Sequence, residues 1–409
     1  MSVPLRQQFD VALYIIKQRL KGNKRYPLVL MLEPLFRCNL SCPGCGKIDY
    51  PPEILNQRLS VEDCLNAAIE CGAPIVSLPG GEPLIHREMP QIVRGLIAQK
   101  RHVYLCTNSL LLDKKMDEYE PSDYLTFQIH LDGLREEHDR SVNQKGVYDI
   151  AEKAIKNALA KGFNVNINTT LFNNAVPENV ANFLDHMMEL GLSSVTISPG
   201  YAYERAVDQQ HFLNRTTTKN LFRELFKLGK ERTQQGKPKW RFSQSSLFLD
   251  FLCGNQKYEC TPWGTPCYSI FGWQRPCYLV GEGYVQSFKE LMEETAWEQY
   301  GTGNYEKCVD CMVHCGYEPT AAEDALSHPL KTLFTSLRGP RTEGPMAEEL
   351  DMSSQRQAQY VFSNHVEKAL EEIKAGKSRT VSDTAAENGP KNCCGTCCCG
   401  GSGGKGTGC

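Results

Sequence analysis

The sequence has no long apolar run: nowhere do the roughly 18 consecutive apolar residues of a membrane span occur. It has no basic excess either, since the formal net charge is -3, and that balance advertises no nucleic-acid partner. The opening "MSVPLRQQFD" lacks the apolar centre of a signal peptide, so a reducing, cytoplasmic setting is expected. No internal repeat is visible. What is abundant is cysteine, 19 among 409 residues. In a small secreted chain that number would mean disulfides; in a long reduced one, clustered thiols hold metals or do chemistry. With 41% hydrophobic residues the chain can bury a sizeable core.

The run "PLRQQFDVALYIIKQRLKGNKRYP" reads as a helix with Leu5, Phe9, Leu13, Ile16 and Leu20 on one stripe and Arg19, Lys21, Lys24 and Arg25 near its end. Such a stripe either packs on the domain or lies on anionic lipid, a peripheral contact at the inner face of a membrane. Strand candidates then alternate with helices: 28–36, 75–81, 103–108, 125–133, 164–172 and 194–200. Ser60 with Asp63 can cap one helix, Gly162 and Gly191 can close two others, and Pro177 can open one. Repeated alternation implies a parallel sheet, as a doubly wound sheet or as a full or partial βα barrel of TIM type, with chemistry at the carboxyl ends of the strands. Composition shifts divide the chain into an amino-terminal amphipathic helix (1–26), a βα core (27–235), a smaller Cys- and aromatic-rich domain (236–330) and a mostly flexible extension with a Gly/Cys-rich tail (331–409).

Cys38, Cys42 and Cys45 form C-x3-C-x2-C just past the first strand, on a loop tightened by Pro43 and Gly44. Thiolates at this spacing suit zinc or an iron–sulfur cluster. No fourth cysteine or histidine stands in the loop, so a four-iron cube held here would keep one iron open. With "GGEP" after the second strand, the loop resembles the radical S-adenosylmethionine (SAM) superfamily. The resemblance implies a partial barrel core, a [4Fe-4S] cluster on Cys38, Cys42 and Cys45, and SAM on the open iron. It also implies that Gly80 and Gly81 allow close backbone approach and that Glu82 meets the methionine ammonium. Thr107 and Asn108 are then contacts near SAM, His130 a contact to SAM or substrate or else a buried structural histidine, and Asn168 a contact to ribose or carboxylate. Ser198 and Gly200 are expected at the adenine, with Tyr203, Glu204 and Arg205 toward substrate. Cys106 is either packing or a hydrogen-atom donor to a carbon radical.

Longer stretches, among them "KRYPLVLMLEPLFRCNLSCPGCGKIDYP", "LTFQIHLDGLREEHD" and "CVDCMVHCGYEPTA", resemble the adenosyl-hopene transferases of bacterial hopanoid biosynthesis over about residues 1–330. That resemblance implies addition of the 5′-deoxyadenosyl radical to the alkene of diploptene, an apolar triterpene, with electrons from a donor such as flavodoxin or ferredoxin. Two alternatives stand beside it: a radical SAM enzyme with an auxiliary cluster that abstracts hydrogen from a peptide or small molecule, and a zinc-stabilised binding protein. Cys253, Cys260, Cys267, Cys277, Cys308, Cys311 and Cys315 are ligands of a second cluster or a reduced, zinc-binding or purely structural set. His314, between them, is expected to be exposed. Trp240, Trp263, Trp273, Phe248 and Phe251 are core or the wall of an apolar cavity.

Overall fold

The computed structural model describes residues 4–45, 49–201, 206, 209–359, 363–376 and 380–382. Helix α1 (Leu5–Leu20) comes first. The six expected strands follow as β1 (Val29–Glu33), β2 (Ile75–Leu78), β3 (His102–Thr107), β4 (Leu125–His130), β5 (Asn164–Leu171) and β6 (Ser194–Pro199), each parallel to the next. The first is shorter than its apolar run suggests, because Pro34 has no N–H for the ladder. Between the strands lie α2 (Val61–Cys71), α3 (Met89–Ala98), α4 (Val147–Ala160) and α5 (Pro177–Glu189). Ser60 accepts from the Asp63 N–H and Asp63 returns to the Ser60 N–H, a reciprocal cap worth about 1 kcal/mol. Gly162 and Gly191 end their helices with positive φ, and Pro177 opens α5.

Alternation along the strands sorts the two faces. Leu30, Val76, Leu105, Phe127, Ile167 and Ile197 belong to the main apolar core. Parallel strands are usually apolar on both faces. Here the other face carries Ser77, Tyr104, Cys106, Gln128, Asn166 and Asn168, which makes a polar concave surface suited to a polar ligand.

The Cys- and aromatic-rich region does not fold apart from this core. Its strands β7 (Cys267–Ser269), β8 (Gly272–Pro276) and β9 (Gly281–Val285) extend the same sheet to nine strands in the order β9-β8-β7-β1-β2-β3-β4-β5-β6, with β7 parallel to β1 and the last pairs antiparallel. At the far edge Val195 bonds to Arg241 and Ser243, so the carboxyl-terminal half covers both edges of the sheet. Phe248, Phe251 and Trp273 sit in the main core, Trp240 packs there with its indole N–H on Asp185 (2.7 Å), and Trp263 lies against it. These rings are core rather than a cavity wall.

Helices α6 (Arg215–Gln234), α7 (Ser246–Leu252), α8 (His314–Ser327), α9 (Pro329–Arg338) and α10 (Ser363–Lys374) complete the body. The stretch after residue 330 is more structured than its composition predicts. Lys219 pairs with Glu349, Arg356 pairs with Glu282 at 2.7 Å, and residues 381–382 pair with 57–58. The tail cysteines from Cys393 onward lie outside the described residues.

The outer stripe of α1 corrects the packing expectation. The helix lies on the body through Ile15, which is 1% exposed, with Val11 and Tyr14, against Tyr26 and Leu28. Polar contacts fix it across the amino ends of β3 and β4. Gln7 donates to the Tyr104 hydroxyl, Arg6 donates to the Tyr124 hydroxyl, and Asp10 meets His102, all at 2.9 Å. Leu5, Phe9, Leu13, Ile16 and Leu20 therefore face outward, with Phe9 66% and Leu20 83% exposed.

Candidate active site

The cysteine loop leaves β1 through Leu35 and Phe36 and is stitched to the loop after β2. Gly81 N–H donates to Leu35 O (3.0 Å), and Glu82 N–H donates to Arg37 O (2.8 Å). This contact is why two glycines stand there. A Cβ on Gly81 would lie 2.2 Å from Arg37 O, and one on Gly80, whose φ is +79, would lie 2.6 Å from Leu35 O. The close approach that these residues permit is thus first of all between two loops of the protein.

Glu82 is 1% exposed, and its carboxylate is turned into the protein. Its oxygens accept from the Leu84 N–H (3.0 Å), the Thr107 hydroxyl (2.8 Å) and the Asn108 N–H (2.8 Å). Burial raises its pKa to about 7 against these three bonds. Glu82 is a strut between the β2 and β3 loops rather than an anion presented to a ligand, and Thr107 is its partner rather than a free contact. Asn108 reaches forward, with its amide 2.7 Å from Asn39 Oδ1 and 3.8 Å from Cys38 Sγ.

Cys38, Cys42 and Cys45 are half-buried and not disulfide-bonded. Burial pushes the Cys38 thiol to about 11 and the Cys42 thiol to about 12, and each of the two is pushed further by its cysteine neighbours. The sulfurs therefore converge, yet not tightly. Among the described residues, the one His/Cys/Asp/Glu group whose ligand atoms all lie within 4.8 Å of one another is His130, Asp132 and His138. A single tetrahedral zinc, with bonds near 2.3 Å, needs its sulfurs only about 3.8 Å apart. A spacing wider than this leaves a cluster of several irons as the better match for three thiolates, and the Leu40 N–H, 3.4 Å from Cys38 Sγ, is the kind of donor that stabilises a cluster thiolate.

Beside this loop, β4 ends in a polar knot that sequence reasoning did not assemble. Asp132 meets His130 Nε2 at 3.1 Å, accepts from the Thr170 N–H at 2.9 Å, and holds the Ser141 hydroxyl. Its own N–H lies 3.3 Å from His138 Nδ1. Burial lowers the pKa of His130, but the Asp132 carboxylate outweighs it and leaves a net rise; His138, buried and then opposed by His130, falls to about 4. With its carboxylate already engaged, the trio is a structural knot rather than a metal site. The signal was present in "HLDGLREEHDRS", but the contacts fold back across a helix start.

Asn168 stands half-exposed on the concave face beside His130, in β4–β5 register. Cys106 lies one strand away, with Ser77 Oγ 3.4 Å from its sulfur. Burial raises its pKa to about 11, so it is held as a neutral thiol. Ser198 is not left open for an adenine: it is buried, with its hydroxyl 2.7 Å from His314 Nδ1. His314 is accordingly half-buried rather than exposed, and burial lowers its pKa to about 4. Gly200 donates to Leu171 O and borders an open cavity of about 440 Å³ with Tyr201, Leu279, Val280 and Asp310. Tyr203, Glu204 and Arg205 lie outside the described residues.

Residues 32–205 match the radical SAM superfamily, and residues 195–335 match a family described only as a domain of unknown function, DUF3463. GTP 3′,8-cyclase of Clostridium perfringens is 29% identical over 141 residues, 33% of this chain and 44% of that protein. Mycofactocin maturase MftC of Mycolicibacterium smegmatis is 30% identical over 142 residues, 34% of this chain and 36% of that protein. The chain thus spans less than half the length of these curated relatives. Streptococcus suis SuiB has the same fold, with a TM-score of 0.57 and 16% identity over 75% of this chain and 76% of that one; SuiB bound to S-adenosylmethionine gives 0.56 and 15% over 74% and 75%. The loop, the parallel sheet and the matched segment agree: residues 32–205 match the core of the radical SAM superfamily, whose members work with a [4Fe-4S] cluster and S-adenosylmethionine.

Proposed function

We propose that the enzyme joins the 5′-deoxyadenosyl group of SAM to the alkene of diploptene, giving adenosylhopane. Cys38, Cys42 and Cys45 would hold the cluster, with Asn108 beside Cys38 and Gly80, Gly81 and Glu82 fixing the loop. His130 and Asn168 face the same concave surface and are the residues proposed to touch SAM. When bound, the cluster and SAM together supply a 5′-deoxyadenosyl radical.

The observation that carries this reading is Cys106. Addition of a primary carbon radical to the CH2 end of a 1,1-disubstituted alkene leaves a tertiary radical that needs one hydrogen atom. A neutral S–H on the concave face, one strand from the Glu82 loop, is suited to give it. The sulfur radical left behind is returned to thiol by one electron and one proton, the electron coming from a low-potential donor such as flavodoxin or ferredoxin. An enzyme that abstracts hydrogen from its substrate has no such need.

The outward faces of α1 and α9 support an apolar substrate taken from a membrane. Leu330, Leu333, Phe334 and Leu337 of α9 are exposed like the α1 stripe. The two helices are tied through α8, where Arg19 donates to Glu323 and Ser327 at 2.9 Å. Lys17, Lys21 and Lys24 add positive charge beside the stripe, which suits anionic lipid. No described helix is long and apolar enough to cross a bilayer.

Anaerobic incubation with SAM, reductant and diploptene is expected to give, by mass spectrometry, the covalent sum of triterpene and adenosyl group. Iron-loaded protein that cleaves SAM without forming this adduct overturns the reading. Cys106→Ala is expected to stall or divert the adduct radical, and an unchanged yield of adenosylhopane removes Cys106 from the reaction. The second reading, hydrogen abstraction from a peptide or small molecule, is favoured by the likeness to MftC, a mycofactocin maturase, and to SuiB, which is seen bound to a precursor peptide. Free 5′-deoxyadenosine formed in step with a modified peptide would support it.

A further inference from the structure

The concave face carries Gln128, Asn166 and Asn168, and a hydrocarbon laid on it would cost these amides their hydrogen bonds to water or ligand. A less polar space lies at the end of β6. The cavity of about 440 Å³ beside Gly200 falls within the roughly 300–1,000 Å³ usual for small-molecule sites. Tyr201, Phe212, Leu213, Leu279, Val280 and Val309 line it, arriving from the end of β6, the stretch before α6, the approach to β9 and the turn after Cys308. Its polar residues are tied into the walls. Asn214 Oδ1 accepts from the Thr217 N–H at 2.8 Å, Asp310 accepts from the Arg215 N–H at 3.1 Å, and Glu306 accepts from the Ala358 N–H at 2.7 Å. The Tyr201 hydroxyl donates to Lys307 O at 3.0 Å.

One aromatic ring stands between this cavity and the cysteine loop. Gly200 is fastened to the end of β5 by its N–H on Leu171 O (2.8 Å), and the residue after Leu171, Phe172, touches both Gly200 and Gly44, which lies between Cys42 and Cys45. A Cβ on Gly200 would stand 2.8 Å from Phe172 Cδ1 and 3.3 Å from Phe212 Cδ1, so any side chain there would push the ring away. A Cβ on Gly44 would make ordinary contact with the same ring, 3.5 Å from Phe172 Cε1. The His211 ring stacks on Phe172 with centroids 4.1 Å apart and steadies it. Cavity, ring and loop are thus consecutive.

We infer that this cavity receives the alkene-bearing end of the triterpene, with Phe172 as the partition that sets how near the alkene comes to the cysteine loop. The identity of the ligand rests on the diploptene reading given above, whereas its place can be tested without any product. The chain thereby offers two neighbouring spaces of opposite chemistry, a polar concave face for a nucleotide and an apolar cavity for a hydrocarbon. Apolar walls around the alkene also keep water from it. Val309 marks the cavity: it lines this space, does not line the inner chamber of cysteines, and is 37% exposed.

The test uses the full, iron-loaded chain and a saturated hopane carrying a diazirine, photolysed anaerobically, with the labelled peptides identified by mass spectrometry. Label is expected on the peptides that hold Tyr201, Leu279 or Val309. Val309→Trp fills the space without disturbing the core and is expected to take about 10-fold less label or lower still, with the affinity for SAM in equilibrium dialysis unchanged. Where adenosylhopane forms, the same variant should need about 10-fold more diploptene for half-maximal rate. Val309→Ala leaves the space open and is expected to behave like the parent. Label confined to α1, α9 or the concave face, no label at all, full labelling of Val309→Trp, or equal loss in both variants overturns the inference. A parent that is labelled as expected but makes no adenosylhopane supports the site and overturns the reaction proposed above.

Discussion

Cys38, Cys42 and Cys45 share one loop of eight residues at the carboxyl edge of the sheet, half-exposed and three in number. Cys260, Cys277, Cys308, Cys311 and Cys315 come from separate segments, line one inner cavity, and number five. The difference is chemical as well as topological. Three ligands on an open face leave a coordination position that a substrate can enter, whereas the second group lies among the apolar walls of Leu279, Val280 and Tyr317. Both groups have a backbone N–H on a sulfur, Leu40 at Cys38 and Val280 at Cys277, and a glycine where the chain comes close. One fold thus carries an open and a more enclosed group of thiols, and the Ser198–His314 bond joins β6 to the helix whose first turn holds Cys315.

The two glycines allow the sites to be broken separately. Gly81→Ala puts a methyl group 2.2 Å from a carbonyl oxygen that cannot rotate away, so the two loops must part. Displacement of catalytic geometry by about 1 Å costs on the order of 100-fold in rate. SAM cleavage is expected to fall at least that far, with loss of cluster iron. Gly316→Ala meets Cys260 Sγ at 2.7 Å and is expected to disturb the second cysteine group while iron at the first stays at the parental level. Iron analysis and SAM cleavage by both variants check the pair, and a Gly316→Ala enzyme that loses the first cluster instead would show that the sites are not independent.

A smaller effect concerns the strut under the first site. Burial raises the Glu82 pKa from 4.5 to about 7, so the folded chain holds a proton that the unfolded chain has released over that interval. Stability of the metal-free protein is therefore highest below the lower value and declines as pH rises toward 7. One unit corresponds to about 1.4 kcal/mol, so this group accounts for a few kcal/mol at most. Glu82→Gln is expected to flatten this part of the pH profile in urea unfolding. An unchanged slope would mean that the carboxyl titrates normally.

The contrast between the sites also explains what the sequence could tell. The first site is written in consecutive residues, as are the strand alternation and the Ser60 cap, because each depends on neighbours a few positions apart. The second site is not, since Cys277 meets Cys308 only after β7 pairs with β1 and carries β8 along the same sheet. The same pairing is why a region of distinct composition turned out to share one core. Glu82 was legible as a carboxylate in a loop, but not as a strut, because its partners Thr107 and Asn108 lie on the next strand. Periodicity showed that α1 is amphipathic without showing which face the body covers. That was decided by Ile15 with Gln7, Arg6 and Asp10, a mostly polar face anchored on Tyr104, Tyr124 and His102.

The outward stripe of α1 should matter to neither cysteine site, and this gives the gentlest test of the architecture. Phe9→Glu with Leu13→Glu changes two side chains that already face away from the body, so folding stability is expected to move by less than about 0.5 kcal/mol. Full burial of such a side chain in an apolar phase is worth about 1.5–3 kcal/mol, and each factor of ten in affinity is about 1.4 kcal/mol. If the stripe lies on lipid, cosedimentation with anionic phospholipid vesicles should weaken roughly 10- to 100-fold, while iron content and SAM cleavage in detergent-free buffer stay at parental levels. Vesicle binding that survives the double substitution would place any lipid contact elsewhere on the chain. Binding that is lost together with iron would mean that α1, although it touches no cysteine loop, carries the sheet that holds both.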